Sequence, residues 1–81
     1  MNSNKELKIK DFYQSAILKT LGLELLRLEQ SDEKHSWFVF NDPEDKTKIV
    51  LADYWNRDIM VNARDLVDSI RDLKTRLYQS R

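Results

Sequence analysis

Four apolar residues near the end of the chain, Leu66, Ile70, Leu73 and Leu77, recur at spacings of four, three and four. Residues three and four apart are neighbours on a helix surface, so all four fall on one stripe of a helix over Asn62 to Tyr78. Asn62 suits its N-cap, and Asp65 favours the positive end of the helix dipole. Lys74, Arg76 and Arg81 lie toward the negative end. A helix with one apolar stripe cannot bury that stripe alone, so the rest of the chain is expected to fold against it.

The 81 residues leave room for one domain, 1–81, with the polar residues 1–6 frayed. There is no cysteine, so neither disulfides nor thiolate metal sites assist the fold, which fits a reducing, cytoplasmic setting. No apolar run approaches the roughly 18 residues that span a bilayer, so no membrane is expected. Fourteen basic residues balance fourteen acidic ones, which argues against nucleic-acid binding by bulk charge. The distribution is uneven, however. Residues 1–23 and 59–81 each carry +2, and residues 24–58 carry −4. Termini lying side by side would make one modestly basic face; ordinary solvated charge is the plainer reading.

Along the chain, Asp11 suits an N-cap, and Phe12, Tyr13, Ala16, Ile17, Thr20 and Leu21 mark a helical face. Gly22, the only glycine, sits where that helix stops, with Leu23 placed to pack back on Leu18 in a Schellman motif. Helix one is therefore read as 11–21. Leu23 to Glu29 reads as a strand in which Leu26 and Leu28 alternate with Leu25, Arg27 and Glu29, although its residues are also good helix formers. A polar turn with Ser31 and Asp32 leads to Ser36–Phe40, the best strand signal in the chain. Its alternation sends Trp37 and Val39 to one face and Phe38 and Phe40 to the other.

Asp42, Pro43, Glu44 and Asp45 read as a helix start, with Asp42 capping and Pro43 at the first helical position. The segment 43–55 is read as a helix presenting Ile49, Val50 and Tyr54, with a third strand as the alternative. Asn56, Arg57 and Asp58 break it, and Ile59–Val61 is a short extended piece.

A resemblance rests on several of these pieces. They are Asp11-Phe12-Tyr13 with Ala16 and Gly22, then Trp37-Phe38-Val39-Phe40, then Tyr54-Trp55-Asn56. Val61 and the ending Leu73-Lys74-Thr75-Arg76-Leu77-Tyr78 complete them. From Asp11 to Tyr78 the chain resembles a family of short bacterial domains of unknown function, often encoded on phage or other mobile elements. The resemblance implies the same architecture, with a helix over 43–55, and a mobile-element setting. It brings no activity and no catalytic residue.

Little in the chain can carry catalysis. His35 is the only histidine and lies beside a polar turn with Asp32 and Glu33, so neither a metal site nor a serine triad is expected. One glycine cannot build a phosphate-binding loop, and the acids Asp42, Glu44 and Asp45 lack calcium-loop spacing. The expectation is a protein that is not an enzyme and uses no cofactor.

Two constellations remain. Trp37, Phe38, Phe40, Tyr54 and Trp55 are core by default, because aromatics dominate small cores; any exposed part reads as a partner interface. Arg64, Arg71 and Lys74, with Val67 and Tyr78, share one flank of the last helix, and Asp65, Asp68 and Asp72 share the other with Arg76. The basic flank, with Lys5, Lys8 and Lys10, can touch phosphates. The plain alternative is a solvated face with Arg64–Asp68, Asp68–Arg71 and Asp72–Arg76 pairs.

The expected fold is α+β: a small two-layer domain running helix, β-hairpin, helix, short strand, long C-terminal helix. A two-stranded hairpin is marginal alone, so its free edge is expected to be completed by residues 59–61 or by a second copy. Two functions stay open: a non-enzymatic interaction module that binds a protein partner or a second copy of itself, and a nucleic-acid-associated accessory protein of a mobile element.

Overall fold

The computed structural model describes residues 5–30 and 35–79. Its elements are β1 Glu6–Ile9, α1 Phe12–Thr20, β2 Glu24–Gln30, β3 Ser36–Asn41, α2 Lys46–Trp55 and α3 Ala63–Gln79. The strands form one antiparallel sheet in the order β1-β3-β2. The fold is α+β, with a long C-terminal helix. The polar turn at Ser31 and Asp32, together with Glu33, lies outside the described residues, as does Arg81.

Register explains the two faces of the sheet. Leu7 and Leu25 flank Phe40, and Ile9 and Leu28 flank Phe38. These six share one face because cross-strand partners point the same way and side chains alternate along a strand. Phe38 and Phe40 are buried there with Ala16, Leu18, Leu23 and Leu73. Leu66, Ile70 and Leu77 pack against that cluster from α3. The stripe of the last helix therefore closes the core, with Leu73 fully buried at its centre. Where α1 meets α3, the Thr20 hydroxyl donates to the Ala16 carbonyl at 2.7 Å and shares a 2.9 Å hydrogen bond with the Ser69 hydroxyl.

The hairpin edge is completed differently from the sequence expectation. β1, not residues 59–61, pairs with β3, so Glu6 is the start of a strand rather than a frayed end. Leu7 and Ile9 alternate with charged residues, so β1 extends the apolar floor by one strand. Residues 59–61 instead carry the chain from α2 to the Asn62 cap, and Met60 there is 88% exposed.

The expected alternation in β2 is also corrected. An irregularity between Leu25 and Arg27 lets Leu25 and Leu28 share the buried face, leaving Leu26 exposed. One extra residue in a strand shifts every side chain after it to the other face.

Helix ends follow their caps. The Asp11 carboxylate accepts from the Gln14 N–H at 2.8 Å. At the other end Leu23 N–H donates to the Leu18 carbonyl and Gly22 N–H to the Lys19 carbonyl, both at 3.1 Å. Gly22 has φ +97°, the left-handed conformation that this Schellman motif requires. The same motif ends α2, where Arg57 N–H donates to Tyr54 and Asp58 N–H to Asp53. Here an arginine, at φ 64°, holds the glycine position.

The start of α2 departs from the reading of Asp42 as its cap and Pro43 as its first residue. The cap position belongs to Asp45, in left-handed conformation and without a side-chain cap bond. The Asp42 carboxylate still accepts from the Lys46 and Thr47 N–H groups, at 2.8 and 2.9 Å, but from a preceding turn. Residues 46–55 are helix, and Asn62 caps α3 by accepting from the Asp65 N–H at 3.0 Å.

Candidate functional site

The aromatic constellation is dispersed by the fold. Phe38 and Phe40 are core residues and cannot face a partner. Trp37 lies half-buried on the opposite face of the sheet, with the Lys10 ammonium 4.8 Å from its ring centre. Tyr54 and Trp55 lie at the end of α2, their rings edge-to-face at 5.4 Å.

That opposite face is a charged lattice over an apolar centre. Val39 is fully buried between its cross-strand neighbours Lys8 and Arg27. Their aliphatic stems can cover it while their charged heads stay wet. Arg27 clamps both oxygens of Glu6, at 2.7 and 3.1 Å, and donates to Glu29 at 2.8 Å. Lys8 meets Glu29 at 2.9 Å. The Arg27 hydrogen bond holds the Glu6 carboxyl below its ordinary range, and Lys8, then Arg27, do the same for Glu29. Sequence reasoning missed this lattice because β1 was not read as a strand. Its one trace in the sequence, the alternation of Glu6, Leu7, Lys8 and Ile9, is too short to announce a strand.

The lysines proposed for phosphate contact are largely engaged here. Lys5 pairs with Asp45, Lys8 with Glu29, and Lys10 covers Trp37. Arg64, Arg71 and Lys74 remain together on the exposed side of α3, with Val67 44% and Tyr78 75% exposed. Of the ion pairs expected on that helix, Arg76–Asp72 forms, at 3.2 Å, and Asp72 also meets Lys19.

A cleft of about 210 Å³ opens between the end of α1 and the start of α2, lined in part by Gly22, Glu24, Asp42 and Glu44. Asp42 is spent on structure there. Burial pushes its carboxyl up, but hydrogen bonds from Thr47 and from the Lys46 N–H outweigh this and hold it below its usual value. The Thr47 hydroxyl lies beside that carboxylate without a well-formed hydrogen bond. His35 is exposed just before β3, and the described residues contain no group of three or more metal-ligating side chains.

Three of the exposed large apolar residues, Ile49, Trp55 and Met60, fall on α2 and its exit. Thr47, Val50, Leu51 and Tyr54 form the helix's inward side. Ile49, read together with Val50 and Tyr54, parts from them: it is 67% exposed, and Ala52 and Trp55 follow it outward at spacings of three. At 100° per residue, Ile49 lies well away from the 47-50-51-54 stripe, which is the signal that could have placed it outside. Trp55 is 71% and Met60 88% exposed. The Tyr54 ring meets the exposed Trp55 indole edge-to-face, an arrangement that aromatic pairs favour.

A family model described as a domain of unknown function (DUF5659) matches residues 4–79. The chain belongs to that family. The DUF5659 match spans every element of the fold, from β1 to α3. Searches of the curated proteins and of the solved structures find no match. No helix among the described residues is long and apolar enough to cross a membrane.

Proposed function

We propose that this DUF5659 chain is a non-enzymatic interaction module whose partner-facing surface is the outer side of α2 and its exit turn. The observation that carries this reading is the exposure of Ile49, Trp55 and Met60, 67%, 71% and 88%, within one short segment. Scattered exposed apolar residues are ordinary; three within one short segment, a tryptophan among them, have the composition of a binding hot spot. The lone histidine and the lack of cysteine support a non-enzymatic role. The absence of cysteine also supports a cytoplasmic one.

The test separates folding from binding. Residues kept for a partner contribute little to the isolated fold, so Ile49→Ala/Trp55→Ala is expected to shift unfolding stability by no more than ~0.5 kcal/mol in urea denaturation. A loss above ~2 kcal/mol assigns these side chains to the core and removes the reading.

A second reading, a nucleic-acid accessory role in a mobile-element setting, is favoured by Arg64, Arg71 and Lys74 lying together beside Tyr78. Titration of labelled single- and double-stranded DNA at low salt tests it, because phosphate contacts are strongest there. Binding that Arg71→Ala/Lys74→Ala does not weaken would rule out this helix as the contact.

A further inference from the structure

We propose that the outer face of α2 docks on the same face of a second copy of this chain, antiparallel and about a two-fold axis at Ala52. The inference rests on the reading of that face as an interaction surface and names its partner. A two-fold interface must be self-complementary, because each patch meets itself. The α2 face meets that condition in three ways. Ala52, exposed and small, lies midway between Ile49 and Trp55, so an axis there brings Ile49 level with the partner's Trp55. A small residue at the crossing point lets two helices approach closely.

Charge gives the direction. Lys46 and Lys48 stand in the first turn, Asp53 lies near the last turn, and Asp58 follows it. The helix has no acid in its first turn and no base in its last, the reverse of α3, which has Asp65 in its first turn and Arg76 in its last. Within one chain Lys46 is answered by Glu44 at 3.1 Å. No described contact answers Lys48, Asp53 or Asp58 with an opposite side-chain charge. Antiparallel pairing about Ala52 sets Lys46 level with the partner's Asp58, while Arg57 comes level with the partner's Thr47 and Asp53 lies one residue from the axis. It also places each helix's negative end beside the other's lysines, where a cation is favourable. Parallel pairing would juxtapose like charges at both ends. Arg57, in the exit turn, shares the aspartate end.

The chain has no cysteine, so a single one can report the crossing point. Ala52→Cys sets two thiols at the axis; Thr75→Cys, on the exposed side of α3, is the control. Under mild oxidation Ala52→Cys is expected to give covalent dimer on the order of tenfold faster than the control, because pairing raises the effective thiol concentration. Light scattering over a concentration series is expected to show a mass rising toward two chains for the native sequence and one chain for Ala52→Glu. Equal crosslinking rates, or a mass of one chain throughout, overturn the dimer. That outcome leaves the interaction surface itself standing if Ile49→Ala/Trp55→Ala is still neutral for folding, so the two readings fail separately.

Discussion

Gly22 and Arg57 close two helices by the same hydrogen-bond pattern with different chemistry. A side chain in the left-handed region costs roughly 1 kcal/mol that glycine avoids. Arg57→Gly is therefore expected to raise stability by ~0.5–1 kcal/mol. Gly22→Ala is expected to lower it by about 1 kcal/mol, with no steric addition, since the added Cβ would meet nothing within 4 Å. Chemical denaturation of both variants measures the pair, and equal signs would contradict the shared motif. Asp42 makes a different kind of statement. Its carboxyl is held below its ordinary value, so it contributes stability that is fully present above the unfolded carboxylate range near pH ~4. That contribution is lost as pH falls through the lower folded value. Asp42→Ala, which strands two helix N–H groups, is expected to cost ~1–2 kcal/mol at neutral pH. Asp42→Asn is expected to make the acid limb of a stability-against-pH curve shallower, read from urea midpoints between neutral and acid pH.

The two sides of α3 are expected to respond in opposite ways. Leu73→Ala empties a fully buried site and is expected to cost ~2–5 kcal/mol, whereas Val67→Ala on the outer side should stay within ~0.5 kcal/mol. On the far side of the sheet, Arg27→Met is expected to unfold at higher denaturant than Arg27→Ala, because methionine keeps an apolar stem over Val39. If the two melt alike, the ion pairs rather than the stem matter. These elements also show what the chain discloses before it folds. The Leu66–Leu77 stripe, the Gly22 stop and the Phe38/Phe40 alternation were legible because each depends on local periodicity or on one residue's backbone freedom. β1 was not, since four residues have too little period to announce a strand whose partner lies far along the chain. The shift at Leu25–Arg27 was equally hidden, because an irregularity is fixed by pairing and not by composition.

At the scale of the whole molecule, β1 and β2 flank a centre that neither could cover alone. Removing residues 1–9 strips one side of β3 and uncovers Phe38 and Phe40 along that edge. The shortened chain is expected to lose cooperative unfolding and to aggregate, since an unpaired hydrophobic edge recruits other strands. Retention of a sharp, reversible melt would show that β1 is dispensable. The sheet order also sets a timetable. The strand in the middle is made late, about thirty residues after the strand that docks on its outer side. At ribosomal speeds of 5–20 residues per second, that is a wait of roughly 2–6 s. During it, Leu7 and Ile9 have no strand to lie against. Until β3 is made the apolar side of β1 has no strand partner, and a fusion placed ahead of Lys5 would sit beside the seam that β3 then closes.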